Sequence, residues 1–592
     1  MGRDGIVGFD LGRPMYKPLR YDNRLRAEIP NRLPPGLRSG VAALLAALAL
    51  SISPALAQTS GGVLKIYHRD NPPSASIHEE ATTSTVMPFM PLFNNLVVYD
   101  QHVAQNSDQS IVPDLAKSWR WNAEMTALTF QLQEGVTWHD GIPFTARDVV
   151  CTFDMLAGKT PEKMLRNPRK EWYRNVDLVS ARDDHEVTFY LTHPQPSLLA
   201  MLASGYSPIY PCHISLSQMR KRPIGTGPFK FASFVEFQSI RLVRNPDYWK
   251  KGRPYLDAIE FAIPTSPSTA ILSFIAGRFD MTFPWEVTPE DKKIIKRGAP
   301  AAMCETTSMN LNINLLINRT VPPFDNADMR RALMLAIDRK AFVDTLTEAT
   351  AEIGGTMQPA HDGVWGLPAD VLASVPGFGP DIDKNRAEAR ALMEKQGYGP
   401  DKRLPLKVST RGIALYTDSA PLLIRQLKEI YIDAELDIVE TSLWFARLSR
   451  KDYMVGLNAT GNGVDDPDQT FYENFACKSA RNYTGYCNPE VEKLFDAQSS
   501  ETDTQKRRQL VHEIDVRLLV DGARPPITWK RGTTCQQPYL KGYVNMVNSV
   551  YNGFRFEDVW LDNPPPIKGV SKPRKAAAAP GMPDMIVKVA AP

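Results

Sequence analysis

Three features of this 592-residue chain carry residue types that could do chemistry. His139-Asp140 stands before Gly141, a pairing that general acid–base or metal chemistry would use. No second His or Cys lies at ligand spacing nearby, and the nine histidines are scattered. The pair therefore reads as turn chemistry, with Gly141 taking the positive φ that a β-carbon would obstruct. Gly225-Thr226-Gly227-Pro228 could cradle a phosphate, but no Gly-Lys-Ser/Thr follows and no helix opens there. It reads as a turn before a strand. Six cysteines (Cys151, Cys212, Cys304, Cys477, Cys487, Cys535) form neither a CxxC pair nor a Cys/His cluster, which argues against zinc or redox work. Neither a Gly-x-Ser-x-Gly elbow nor an H-E-x-x-H helix is present, so a secreted hydrolase is the less favoured class.

The elements that hold these residues follow from periodicity. Leu128, Phe130 and Leu132 alternate with polar neighbours, the pattern of a half-buried strand. Glu134-Gly135 turns the chain, and Val136 and Trp138 are expected on a return strand. Thr145 caps a helix with Asp148 in capping-box position, and Val149, Phe153 and Leu156 form its buried stripe. Residues 62–69, 186–192, 229–234, 279–283 and 434–440 read as strands. Residues 268–276, 386–396 and 422–430 read as helices, the first ended by Gly277 and the second by Gly397. Met329, Leu333, Ala336 and Ile337 share one helix face. Asp338 is placed to cap the helix after them.

The overall charge of +3 hides two basic ends. Residues 1–57 hold eight Lys/Arg against four Asp/Glu, and residues 564–592 hold five against one, so the stretch between them is acidic. Nucleic-acid binding would want a basic domain and is not indicated. Val41 to Leu50 is a short apolar run behind Arg32 and Arg38, ending in Ser53-Pro54-Ala55-Leu56-Ala57. That is the layout of a secretory signal peptide cleaved after Ala57, too short for a membrane span. No Cys near the cleavage site offers lipid attachment. A free periplasmic protein is the expectation, and six cysteines suit that oxidising compartment. Cys477 and Cys487 flank a short polar loop and are the best pair for a disulfide, worth about 2–3 kcal/mol. Cys151, on the predicted helix, reads as buried and unpaired. Residues 564–592, rich in Pro, Ala and Lys, are expected to be disordered.

Three segments resemble one family. They are PDLAKSWRWN with LTFQLQEGVTWHDGIPFTARDVVCTF (113–153), PIGTGPFKFASF with RNPDYWKKGRPYLDAIEFAI (223–263), and NLNINLLINRTVPPFDNADMRRALMLAIDR (310–339). Together they are similar to the extracytoplasmic solute-binding proteins of ABC importers, of the oligopeptide-, dipeptide- and nickel-binding type. The resemblance covers roughly 62–560. It implies an α/β, two-lobed periplasmic-binding-protein fold with an additional small domain and a hinge between the lobes. On that plan 1–57 is leader, 58–100 and 221–305 build lobe I, and 101–220 is the small domain. Residues 306–527 form lobe II, 528–563 close lobe I, and 564–592 are the tail.

The resemblance further implies a binding protein that performs no catalysis and needs no cofactor. Such a protein is expected to act as a monomer. It would close on a small-molecule or short-peptide ligand and deliver it to ABC permease subunits at the inner membrane. Peptides are the default ligand, and the alternatives are an opine, a sugar derivative or a chelated metal. Scattered histidines argue against direct metal ligation. Residues 458–471 resemble the family's acidic D-x-x-[D/E]-P neighbourhood, in whose peptide-binding members a carboxylate four places before the Pro pairs with the ligand's amino group. Four before Pro467 is Gly463, next to Asn462, so the motif is shifted and Asp465 and Asp466 are the nearest carboxylates. They either meet the ligand or shape a turn. Trp285 is the candidate aromatic wall, ahead of Trp444 and Trp529. Asn310 and Asn312, alternating on a predicted strand, could reach the backbone of an extended ligand.

Overall fold

The computed structural model describes residues 58–348, 350–360 and 362–565. The leader reading and most of the tail lie outside the described residues. The chain opens with β1 (Val63–Tyr67), a buried helix at Thr83–Phe89, and the short pair β2 (Val97–Tyr99) and β3 (Ile111–Pro113). Next come β4 (Ala116–Trp121), β5 (Ala127–Leu132), β6 (Val176–Asp183) and β7 (Glu186–Leu191), an antiparallel sheet in the order β4-β5-β7-β6. Strands β8 (Phe229–Val235), β9 (Ser239–Arg244) and β10 (Ala258–Ala262) join β1 in a second sheet, ordered β1-β10-β9-β8. A third sheet takes β11 (Met303–Ile317), β12 (Leu404–Arg411), β13 (Ile432–Val439), β14 (Val455–Gly461) and β15 (Pro526–Gln536) in the order β13-β12-β14-β11-β15.

Two separate hydrophobic cores make the molecule two-lobed. Leu64, Ile66, Phe130, Phe261 and Phe556 belong to one, which serves both four-stranded sheets. Leu333, Leu406, Val408, Leu427 and Leu457 belong to the other, under the five-stranded sheet. The long strands β11 and β15 pass between them. On β11, Met309 and Leu311 pack in the first core, while Ile313, Leu315 and Ile317 pack in the second. Cys535 and Ile527 repeat the division on β15. The crossing coincides with a register shift between Ser308 and Asn312, where Asn310 takes a φ of +46°. An extra residue at that point bends and twists the pair, which is what a β-bulge does.

Local chemistry accounts for the elements near the centre. The Thr145–Asp148 capping box is present, and Val149, Phe153 and Leu156 are buried. Asp338 caps its helix by accepting from the Ala341 N–H at 3.0 Å. His139 fastens the turn at 225–227 from the side. Its backbone N–H donates to the Gly225 carbonyl, its Nδ1 accepts from the Gly225 N–H, and its Nε2 lies 3.1 Å from the Gly227 carbonyl. Burial draws that imidazole's pKa down to about 4, so it works as a neutral crosslink. A β-carbon on Gly225 would come within 1.8 Å of the Leu92 carbonyl oxygen, so the glycine permits the turn to dock against backbone.

Three expectations need correction. Val136 and Trp138 do not continue a hairpin with β5. Their segment folds back on 142–144 through Trp138 N–H to Ile142 and Phe144 N–H to Val136, because β5 already has β4 and β7 on its two edges. Residues 279–283 form no strand either. Met281 alone bridges Ile66 on one side and Gln536 on the other, linking the first lobe's sheet to β15. Lastly, Cys151 is not unpaired. It bonds Cys212, whose segment is brought over the helix by the Cys212 N–H donating to Asp148 at 2.9 Å.

Cys477 is joined to Cys487, and Cys304 to Cys535 across directly opposed positions of β11 and β15. The last of these closes a loop of 231 residues at the foot of the crossing strands. Replacing both Cys304 and Cys535 by Ser is expected to cost about 2–5 kcal/mol, since long loops lose most when a crosslink goes. Urea denaturation of the oxidised variant against the oxidised native chain measures it.

Candidate functional site

Where the lobes face each other, a groove of about 700 Å³ opens beside the crossing strands. The first lobe contributes Trp285 to Glu290 and Lys292, β11 and β15 contribute Thr306, Met309 and Lys530 to Thr533, and the second lobe contributes Thr345 to Thr347, Leu415 and Asp418. Trp285 is fixed here by its surroundings. Its φ is +61°, its N–H donates to Thr534 Oγ1 and its indole Nε1–H to Thr307 Oγ1, each at 3.0 Å. The residue packs so closely on Gly532 that a β-carbon there would sit 2.4 Å from the Trp285 Cβ. An indole braced in this way offers a rigid apolar wall.

Behind the groove, one carboxylate ties the lobes together. Asp70 follows β1, and its Oδ2 accepts from Arg411 Nη2 and from Thr441 Oγ1, both at 2.6 Å. Arg411 ends β12 and Thr441 opens the next helix of the second lobe, Thr441–Ser449. Ser84 donates to the other oxygen of Asp70, and the Arg411 guanidinium lies over Phe445. Burial opposes ionisation of Asp70, but Arg411, Arg69 and His68 outweigh it and hold the carboxyl at about 2. Arg69 also grips Glu286 at 2.5 Å, so Glu286 enters the groove wall already neutralised.

The sequence candidates divide among four places. Trp285 is in the groove. Asn310 and Asn462 meet at the bulge, where the Asn462 backbone N–H donates to the Asn310 carbonyl at 2.9 Å and its amide to Asn310 Oδ1 at 3.1 Å. Asn310 Nδ2 is buried with no partner among the described residues. Asn312 sits opposite Trp529 and accepts from Asn314 at 2.7 Å, inside the second lobe's sheet. Asp465 and Asp466 are away from the groove lining. Asp466 receives both ends of the Arg507 guanidinium at 2.8 Å and caps the helix Pro467–Asn474. Gly463 has no room for a side chain, since a β-carbon would lie 2.5 Å from Ser204 Oγ. Sequence reading passed over Asp70, Arg411 and Lys530. The one available signal was Lys530 itself, a charge among buried residues of a strand.

Asp465 has an unpartnered buried oxygen. Burial, helped by the Asp466 charge and opposed by a hydrogen bond at Val364, pushes its pKa up to about 7. A carboxyl raised on folding costs stability above its folded pKa, and the cost fades as pH falls toward its unfolded value. Asp465→Asn is therefore expected to stabilise the protein at pH 8 by on the order of 1–2 kcal/mol, after screening at a half-buried site. The difference from the native chain should close near pH 4. Denaturation midpoints at the two pH values check it.

Two facing lobes with a walled groove between them and paired crossing strands define a clamp-type binding protein. Comparison with known proteins agrees. The profile described as "Bacterial extracellular solute-binding proteins, family 5 Middle" matches residues 110–482, and the chain belongs to that family. It is 26% identical over 482 residues to Probable di/tripeptide-binding protein 5 of Pseudomonas aeruginosa, covering 76% of this chain and 87% of that one. In fold it is similar to the periplasmic binding protein DppA of Helicobacter pylori in complex with the peptide STSA. There the TM-score is 0.75 at 20% identity, with 85% of this chain and 99% of that one covered. It is likewise similar to Haemophilus influenzae OppA in complex with RPPGFSPFR, with a TM-score of 0.75 at 21% identity, covering 85% and 100%. Among the described residues, no helix is long and apolar enough to cross a membrane.

Proposed function

We propose that this protein is the periplasmic substrate-binding subunit of an ABC importer, and that it captures short peptides between its lobes. The single observation that carries the reading is the groove of about 700 Å³ walled by both lobes and by the strands that join them. A ligand there touches the two lobes together only when they are closed, so binding shifts the population toward the closed form. The closed form is then what the permease recognises. The work is done by differential binding, with the ligand released unchanged and the protein acting as a monomer. The di/tripeptide-binding relative favours peptides over an opine, a sugar derivative or a chelated metal.

The filled space around Gly463 means that a peptide's amino group must be met elsewhere than at the family's usual carboxylate position. Calorimetry and native mass spectrometry with pooled di-, tri- and tetrapeptides test the proposal. The expected result is one equivalent of intact peptide and a smaller radius of gyration by X-ray scattering when bound. Hydrolysed peptide, or no retention from any pool, would reject it.

A further inference from the structure

Among the described residues, the groove wall carries a half-buried cation that no carboxylate contacts directly. Lys530 lies on β15, half-buried, and lines the groove beside Thr533 and Met309. Among the described residues it has no hydrogen-bonding or ion-pairing partner. Its nearest charged neighbours on the same wall have partners of their own. Glu286 belongs to Arg69, Arg531 is paired with Asp362 at 2.7 Å, and Lys292 donates to Thr306 Oγ1 at 3.0 Å. Asp418 of the second lobe, whose charge is felt at Lys530, is exposed and forms no ion pair with it. Even a half-buried ammonium is costly unless something anionic meets it. Loss of hydration pulls the Lys530 pKa down, against the pull of Asp418 and Glu286, which fits a site built to receive an anion.

The geometry points to Lys530 as the residue that seats the ligand's carboxylate, so that the groove selects solutes carrying a free acid group beside the Trp285 wall. This rests on the groove being the ligand site. Lysine suits the task as a compact point charge with three donors, able to meet a carboxylate from several directions. Asp418, on the opposite lobe, adds a negative charge across the groove, so an acid group alone is drawn to the Lys530 side. A ligand with its acid group at Lys530 also replaces the missing pairing that would otherwise leave the closed groove with an unpaired cation.

The test uses the mature oxidised protein with trialanine and with trialanine C-terminal amide as probes. Native protein is expected to bind the free acid about 30- to 100-fold more tightly than the amide, the usual scale for losing a desolvated charge partner. Lys530→Met should bind the acid that much more weakly and lose the preference, while Lys530→Arg should retain it. Equal affinity of native protein for both probes overturns the Lys530 assignment while leaving peptide capture intact, and needs no variant to fold. If neither peptide binds, peptide capture has failed and a second panel decides the Lys530 assignment. Sugar acids and short dicarboxylates are compared with their neutral amides and parent sugars by thermal shift. Shifts with acids alone that vanish in Lys530→Met support the assignment, and shifts with neutral members alone, or with none, overturn it.

Discussion

Asp70→Ala is expected to weaken ligand capture by about 100-fold or more, since truncating one member of a buried ion pair costs about 3–5 kcal/mol. The cost falls on the closed form. There the Asp70 carboxylate holds Arg411 and Thr441 at 2.6 Å across the lobes, and Arg411 is 3% exposed. Opening returns both charges to water, where the pair is worth little. Removing Asp70 therefore strands Arg411 only when the lobes are shut, and the clamp equilibrium shifts open by that difference. The pH dependence has a definite sign. The carboxyl's pKa is depressed from its ordinary value to about 2, so the bridge is fully present above the ordinary carboxylate range. It is lost as pH falls through that range toward 2. Affinity should be level from pH 5 to 8 and fall below about pH 4. Isothermal titration with a bound peptide, paired with X-ray scattering at saturation, measures both effects. An affinity within threefold of native, with the same contraction on binding, would remove the bridge from the closing mechanism.

Much of the fold was readable because its signals are local. The alternation of Leu128, Phe130 and Leu132 puts all three at 0% exposure, and Thr145 with Asp148 marks a helix start within four residues. Failures came where a competing partner lay far along the chain. Val136 could not pair with β5 because β7, some fifty residues on, holds that edge. Cys151 finds its partner 61 residues away, a distance over which spacing says nothing. The site was less legible for the same reason. Asp70 and Arg411 are 341 residues apart, and neither stands in a motif. Trp285 stands on the groove wall just after Phe283-Pro284, a local cue even though that stretch bridges and forms no strand, whereas the placement of Asp466 depended on Arg507, 41 residues on.

Arg507→Met is expected to destabilise the fold by about 3–5 kcal/mol while leaving peptide affinity within threefold, because its charge serves two buried carboxylates outside the groove. Arg507 reaches both oxygens of Asp466 at 2.8 Å, and its Nη2 lies 3.4 Å from Asp468, a residue with no exposed surface. Its Nε donates to the Gln498 carbonyl at 3.0 Å, and its guanidinium lies 4.9 Å over the Trp365 ring. Asp468 in turn accepts from Ser197 of the first lobe's side and from Ser499, at 2.6 and 2.7 Å. Methionine keeps the apolar stem and removes the only cation hydrogen-bonded to either carboxylate among the described residues. Two like charges would then face each other in a medium that screens them poorly. Burial already raises the Asp466 pKa and Arg507 opposes that rise, so losing the cation should raise it further; the variant's deficit should be full at pH 8 and shrink on acidification toward pH 4. Asp466→Asn separates the pair from the cap, since asparagine still accepts from the Asp468 N–H that Asp466 Oδ1 holds at 2.9 Å. Urea denaturation at the two pH values, with peptide titration of the folded variants, supplies the readings. A stability loss below about 1 kcal/mol together with collapsed affinity would return Asp466 to the ligand's side of the molecule.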